Sequence, residues 1–286
     1  MEKDRTIDSH TILYGVFGDP IRHSRSPIML NRAFSEARIN AVYAAFHVLP
    51  QGLGDAVRGI RSLGYRGVNV TIPHKVEVMQ YLDEIDEGAR IVGAVNTIVN
   101  EGGKLVGYNT DGIGYVRSLK EETGIVLKGK TVLLLGAGGA ARGVAYALAK
   151  EGVACIYLAN RTKERAVELA DTIRPYTQAK GLGLDEVASV IAEVELVLNT
   201  TSAGMHPHVD ELPMPTELLQ PYHLVSDLIY NPRITKFLRE AEARGARIHG
   251  GLGMFIYQGA YAFEYWTGSS APVAAMRQVV EQSLAE

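Results

Sequence analysis

Cysteine is nearly absent: Cys155 is the single one among 286 residues. One thiol excludes a disulfide within the chain and suits a reducing compartment. Inside a predicted strand, Cys155 is expected to pack as a small hydrophobe. Long apolar runs are missing as well. No stretch reaches the roughly 18 residues of a membrane-spanning helix, and the opening MEKDRTIDSH lacks the apolar core of a secretion signal. Nor is there a basic excess, since 29 Lys and Arg face 32 Asp and Glu, for a net charge of −3 and a pI near 6.3. Without a basic stripe, neither a nucleic acid nor a membrane surface is indicated as a partner. Internal repeats and low-complexity segments are also lacking. The expectation is a soluble cytoplasmic protein, monomeric or homodimeric, that acts on a small molecule.

The composition that remains, 47% apolar and 21% charged, is that of an ordinary globular chain. Its length suits two domains better than one core. The run TVLLL at 131–135 leads into Gly136-Ala137-Gly138-Gly139-Ala140-Ala141-Arg142 and an apolar helical pattern through Leu148. A second apolar run at 154–159 ends in Asn160-Arg161-Thr162-Lys163-Glu164-Arg165. Strand, glycine turn, helix and strand in that order form the context of a dinucleotide site. The glycines let backbone approach a pyrophosphate, and the helix start offers free N–H groups. A glycine turn taken alone also reads as a mere tight turn.

The end of the second strand bears on which nucleotide. NAD binders place a carboxylate there for the ribose hydroxyls, whereas a 2′-phosphate needs positive charge. Here Asn160 stands at the tip, with Thr162 as a small donor and the guanidinium groups of Arg161 and Arg165 nearby. A solvated charge run is the competing reading, and it accounts equally for Lys163 and Glu164. NADP is the expected cofactor.

In front of this segment, strands are predicted at 13–17 and 43–47, with a helix between them opening at Ser26-Pro27. A helix over 53–63, a strand at 67–70 and a short helix opening at 71–75 follow. Residues 91–99 and 104–108 read as two strands joined by the turn Asn100-Glu101-Gly102-Gly103. A helix from Asn109-Thr110-Asp111-Gly112 to about residue 122 bridges to the second half, whose further strands lie at 195–199 and 224–228. This alternation implies parallel sheets with helices on both faces. Helices at 250–266 and 272–284 are expected to pack back on the first domain. The aromatic series from Phe255 to Trp266 should be core, with Gln258 its one outward, functional member. The fold class is therefore α/β with two domains. A substrate-binding domain spans 1–110 and is completed by 251–286, and a Rossmann-type NADP-binding domain spans 111–250. Residues before 13 read as a disordered tail.

Three polar constellations stand at strand ends of the first domain. The segment Asp19-Pro20-Ile21-Arg22-His23-Ser24-Arg25-Ser26-Pro27 places two hydroxyls just before a helix. In Asn69-Val70-Thr71-Ile72-Pro73-His74-Lys75, Asn69 and Thr71 share one side of a strand and Lys75 comes one turn on. Asn96-Thr97 and Asn109-Thr110-Asp111 add amides and a carboxylate. Each alone also reads as capping or turn formation, with Ser26 and Asp111 as helix caps. Together they describe a small hydroxylated ligand held by many hydrogen bonds. Lys75 and Asp111 are the pair suited to proton chemistry beside a hydride acceptor. A lysine can protonate or stabilise a developing alkoxide, and a carboxylate can hold the lysine. A surface salt bridge is the alternative for the same two residues.

With these segments in order, the sequence resembles the shikimate dehydrogenase family along nearly its whole length. The matching stretches are GDPIRHSRSP, NVTIPHK, GAVNT, NTDG, GAGGAAR, NRTKER, NTTSAGM, DLIYNP and GGLGMFIYQG. The resemblance implies reversible, NADPH-dependent reduction of 3-dehydroshikimate to shikimate in aromatic amino acid biosynthesis. It implies Lys75 and Asp111 as the catalytic pair, the lysine serving the transferring proton. Ser24, Ser26 and Tyr230 match groups that bind the substrate carboxylate, and Thr71, Asn96 and Gln258 match further substrate contacts. Asn69 is a candidate beside them from its place next to Thr71. The cofactor set maps to Gly136, Ala137, Gly138, Gly139, Ala140, Asn160, Arg161, Thr162, Lys163, Glu164, Arg165, Leu228 and Gly251. Glu87 matches a position near the cofactor, with a helix-end surface acid as its other reading.

The nearest rival is a relative that prefers quinate, or accepts both acids, with NAD or NADP, though Arg161 and Arg165 argue against strict NAD preference. A non-catalytic nucleotide-binding regulator would dispense with Lys75 and Asp111, both of which are here. A glutamyl-tRNA reductase relative would need a nucleophilic cysteine in the first domain, which has none. His206 and His208 flank Pro207 without a Cys or carboxylate at ligand spacing, so no metal is expected. His23 and His74 read as incidental loop residues.

Overall fold

In the computed structural model, which describes residues 7–285, the chain divides into two units. One comprises the residues up to Thr110 together with those from Ile256 onward, and the other is Asp111–Phe255.

The first unit begins with β1 (Ile12–Gly18), α1 (Ser26–Glu36), β2 (Ala41–His47), α2 (Leu53–Ser62) and β3 (Gly67–Val70). It continues with β4 (Glu84–Ile85), α3 (Glu87–Val92), β5 (Thr97–Glu101) and β6 (Lys104–Tyr108). These strands make one sheet in the order β2-β1-β3-β5-β6-β4. The β1, β2 and β3 strands are parallel, while β5 runs antiparallel to both β3 and β6. The α2 helix turns Leu53, Val57 and Ile60 inward, the i, i+4, i+7 stripe of an amphipathic helix. They join Phe17, Val68, Val70, Ile98 and Leu105 in one buried cluster.

Three expectations are corrected here. Residues 91–99 are not one strand, because Asp86 caps α3 by accepting from the Gly88 amide at 2.9 Å and Gly93, at φ +70°, closes it. A cap followed by a left-handed glycine ends a helix within two turns, and an apolar run this short looks alike in either state. The strand begins only at Thr97. Residues 71–75 form consecutive turns rather than a helix start, and a 3-10 turn follows at Glu77–Tyr81. The tail is tied down from residue 8 onward: Asn40 Nδ2 donates to Asp8 at 3.0 Å, and the Thr11 hydroxyl donates to Asn40 Oδ1 at 3.0 Å. Residues 1–6 of the expected tail lie outside the described residues.

The second unit contains α4 (Asp111–Thr123), β7 (Thr131–Leu135), α5 (Gly139–Lys150), β8 (Cys155–Asn160) and α6 (Lys163–Ile173). After these come β9 (Gln178–Gly183), β10 (Leu196–Asn199), β11 (Leu224–Asp227), α7 (Lys236–Ala243) and β12 (Arg247–His249). All strand pairs are parallel, in the order β12-β11-β10-β7-β8-β9. The strand order reverses between β7 and β10, the place where open α/β sheets leave a crevice beyond their carboxyl ends. Leu148, Ile156, Leu158 and Leu196 belong to the core cluster on one side, and Leu135, Val197, Val225 and Phe237 to a second cluster. Cys155 is half-buried at the start of β8 rather than packed in the core, and burial raises its thiol pKa.

The last two helices are α8 (Leu252–Thr267) and α9 (Val273–Ala285). Within the first unit, Phe263 lies 5.4 Å from Phe34 between ring centroids, and Trp266 lies 4.9 Å from Tyr14. The Trp266 indole N–H donates to the Ile98 carbonyl at 2.9 Å, fixing the helix to β5. Gln258 is not the one outward member of the aromatic series, since Tyr261 is half-buried and Tyr265 is 40% exposed. Among the described residues, no helix is long and apolar enough to cross a membrane.

Candidate active site

In the first unit the predicted polar residues gather where β1 and β3 finish. The Thr71 amide donates to the Phe17 carbonyl and the Asp19 amide to the Ile72 carbonyl, which locks the two strand ends together. The chain then turns, and the Ser26 amide donates to Ser24 Oγ at 3.3 Å just as α1 begins. Ser26 is thus the first helical residue; the cap position belongs to Arg25, whose side chain makes no capping bond.

Beneath these hydroxyls lies a buried amide network. Tyr43, fully buried in β2, donates its hydroxyl to Asn69 Oδ1 at 2.8 Å. Burial pushes that phenol well above its usual range. Asn69 Nδ2 in turn donates to the Asn96 carbonyl at 3.1 Å and to Thr97 Oγ1 at 3.0 Å. Asn96 accepts from the Thr110 amide at 2.9 Å, and the Thr110 hydroxyl donates to the Gln258 carbonyl at 3.0 Å. Both hydrogens of the Asn69 amide are therefore engaged inside the unit. Asn69 and Asn96 are 7% and 3% exposed, so they are rigid parts of the frame as well as candidate contacts. Tyr43 was not visible in the sequence, because its partner is 26 residues away on another strand.

Lys75 is half-buried, and its carbonyl accepts from the Val95 amide at 2.8 Å. The preceding His74 is not an incidental loop residue. It is 1% exposed, and its Nε2 lies 2.6 Å from the Val48 carbonyl, so it anchors the turn that carries Lys75. At the end of β1, Asp19 pairs with His47 Nε2 at 2.6 Å. Glu87 is exposed on the first turn of α3.

In the second unit the glycine turn follows β7. Gly136 has φ +111°, and a Cβ there would sit 2.6 Å from Thr200 Oγ1, so neither conformation nor space admits a side chain. Ala137 is half-buried, while Gly138, Gly139 and Ala140 are exposed. A Cβ on Gly138 or Gly139 would meet nothing within 4 Å, which leaves open room above the turn. The α5 helix starts without a side-chain cap, so its first amides point outward with the positive end of the dipole. At the end of β8, Asn160 Nδ2 donates to the Thr162 carbonyl and shapes the loop. Arg161 and Arg165 are exposed and make no ion pair among the described residues, whereas Lys163 is held by Glu186 at 2.7 Å. Glu164 is exposed. Gly251 packs against the neighbouring loop, where a Cβ would lie 2.1 Å from the Leu228 carbonyl. Tyr230 stacks on Phe255 with ring centroids 5.1 Å apart. An uncapped helix start, an open glycine turn and two exposed guanidinium groups fit a dinucleotide with an extra phosphate.

The family model of the shikimate dehydrogenase substrate binding domain matches residues 16–98. That of shikimate/quinate 5-dehydrogenase matches 118–222, and that of the shikimate 5′-dehydrogenase C-terminal domain matches 251–281. The chain is 50% identical over 274 residues to the shikimate dehydrogenase (NADP(+)) of Geobacillus kaustophilus, which covers 95% of this chain and 98% of the relative.

This chain belongs to the shikimate dehydrogenase family.

Solved structures of the family agree in fold. A shikimate dehydrogenase in complex with NADP+ is 45% identical, covers 97% of both chains and superposes with a TM-score of 0.90. The shikimate 5-dehydrogenase of Listeria monocytogenes, in complex with shikimate and NAD, is 39% identical with a TM-score of 0.92. It covers 96% of this chain and 98% of its own.

Proposed function

We propose that this chain catalyses the NADP(H)-dependent, reversible reduction of 3-dehydroshikimate to shikimate in the chorismate pathway. The observation that carries this reading is half-identity to an NADP(+) shikimate dehydrogenase over nearly the full length of both chains. The cofactor preference is supported by Asn160 at the end of β8, followed by the exposed Arg161 and Arg165, which make no ion pair among the described residues.

Lys75 Nζ supplies the proton to the oxygen that becomes the alcohol and stabilises its negative charge on the way, while Asp111 holds the same hydroxyl. Ser24, Ser26 and Tyr230 donate their hydroxyls to the substrate carboxylate, which stays at the rim of the site where water still reaches it. Thr71, Asn96 and Gln258 bind the ring hydroxyls, and Asn69 orients them from below. The hydride comes from NADPH when that cofactor is bound. The glycine turn 136–140 and the start of α5 receive its pyrophosphate, and Arg161 and Arg165 receive the 2′-phosphate, with Asn160 and Thr162 shaping that loop. Lys163 and Glu164 flank it, Leu228 and Gly251 border the nicotinamide end, and Glu87 stands near the cofactor. The protein works in the cytoplasm, as monomer or homodimer, on a small molecule.

Initial rates with shikimate and quinate, each against NADP and NAD, test the proposal. Shikimate with NADP is expected to give the highest kcat/KM. A higher value for quinate, or for NAD, would replace this reading with a quinate dehydrogenase or an NAD enzyme.

A further inference from the structure

The loop after β11 carries Leu228 and Tyr230, which the proposed function gives to cofactor and substrate respectively. What fixes this loop is a side chain outside both sets. Asp227, the last residue of β11, is fully buried. Its Oδ1 accepts from the Ile229 amide at 3.0 Å, and its Oδ2 accepts from the Thr235 hydroxyl at 2.8 Å. Asn199 Nδ2, at the end of the adjacent β10, lies 3.2 Å from both carboxylate oxygens. Asn199 and Thr235 are themselves fully buried.

Each partner ties the carboxylate to another part of the unit. Asn199 Oδ1 accepts from the Thr201 amide and hydroxyl, and the Asn199 carbonyl accepts from the Leu228 amide. Thr235 caps α7 by accepting from the Leu238 amide. On the far side of the loop, the Ile229 carbonyl accepts from the Gly251 amide at 3.2 Å. One carboxylate thus fastens the strand end, the loop and the following helix. Burying an acid among neutral donors is costly: desolvation lifts its pKa to about 6. A hydrophobic residue would fill the same space without that cost, but it could not hold the Ile229 amide.

We propose that Asp227 is a positioning residue, whose carboxylate, gripped by Asn199 and Thr235, sets the Leu228–Tyr230 segment for cofactor and substrate at once. This rests on the function proposed above, and it assigns Asp227 no contact with either ligand.

Asp227→Asn tests it, because the amide turns one acceptor into a donor that faces Asn199 or Thr235. The kcat/KM for shikimate is expected to fall about 10²-fold, the loss that a displacement near 1 Å produces at a reacting centre. Affinity for 2′,5′-ADP, measured by calorimetry, should stay within about twofold, since that fragment reaches only the glycine turn and Arg161. Thr235→Ser keeps the donor and should stay within about twofold of wild type, while Thr235→Val should lose activity in the same direction as Asp227→Asn. Undiminished kcat/KM in Asp227→Asn, or equal losses in turnover and 2′,5′-ADP binding, would overturn the proposal. If that variant does not fold, equal rates for Thr235→Ser and Thr235→Val overturn it instead. A wild type that does not turn over shikimate refutes the proposed function, and this inference with it.

Discussion

The two units prepare their ligand sites in opposite ways. In the first, the candidate contacts stand on buried side-chain amides and hydroxyls: Tyr43, Asn69, Asn96, Thr97 and Thr110 bond to one another within the core. In the second, the candidate contacts are mainly backbone amides of a glycine turn and exposed side chains such as Arg161 and Arg165. A small hydroxylated acid must be told from close analogues atom by atom, which takes side chains with fixed directions. A pyrophosphate is recognised by charge and N–H geometry that any suitably bent backbone supplies.

The sharpest way to break this contrast is to remove chemistry from the first unit without touching binding. Lys75→Ala is expected to lower kcat by about 10²–10⁴-fold, with shikimate affinity largely kept. Parallel steady-state and binding measurements decide, and a loss within about tenfold would remove Lys75 from the proton step.

Asp227 sharpens the contrast, being a buried acid in the unit whose candidate contacts are mainly backbone. Its carboxyl is raised from 3.8 to about 6 in the fold. The folded state therefore holds the proton more tightly than the unfolded one, so this group's contribution to stability falls as pH rises from about 4 to about 6 and is level above. Each tenfold gain in proton affinity is worth about 1.4 kcal/mol, so the change across that window is about 3 kcal/mol. Denaturant unfolding of wild type and Asp227→Asn across pH 4–7 reads it as a difference between the two proteins, in which the opposite slope of acids such as Glu195 cancels. Parallel curves would show that the carboxyl is not perturbed.

Arg161→Ala probes the exposed side. NADPH should bind about tenfold to a hundredfold more weakly, the worth of one charge-assisted hydrogen bond, while NADH changes little. Equal losses for both cofactors would refute the phosphate assignment.

How far the sequence revealed these sites follows the same division. The nucleotide turn is legible because it is contiguous, with strand, glycines, helix and second strand in one stretch from Thr131 to Asn160. The frame under the candidate substrate contacts is not, since Tyr43 meets Asn69 and Asn69 meets Asn96 only after β2, β1, β3 and β5 are laid side by side. The same holds for Asp227 and Asn199, which are 28 residues apart. The strands without a sequence signature, β4, β9 and β12, lie at the edges of their sheets or are only a few residues long. Edge strands carry polar residues against unwanted pairing, which removes the apolar signature by which a strand is read. The span at 91–99 has the opposite problem. Its Asp86 cap and Gly93 stop were present in the sequence, but the apolar letters between them fit a strand equally well.

One ring in the first unit also makes it observable. Trp266 is the chain's single tryptophan, 9% exposed, with its indole N–H on the Ile98 carbonyl and its centroid 6.1 Å from that of Tyr43. Excited selectively at the red edge, its emission reports on the first unit alone, from a ring adjacent to the Tyr43–Asn69 bond. A fluorescence melt recorded with that excitation is therefore a local recording. Comparing it with far-UV circular dichroism, which sums both units, gives a label-free way to see whether they come apart together.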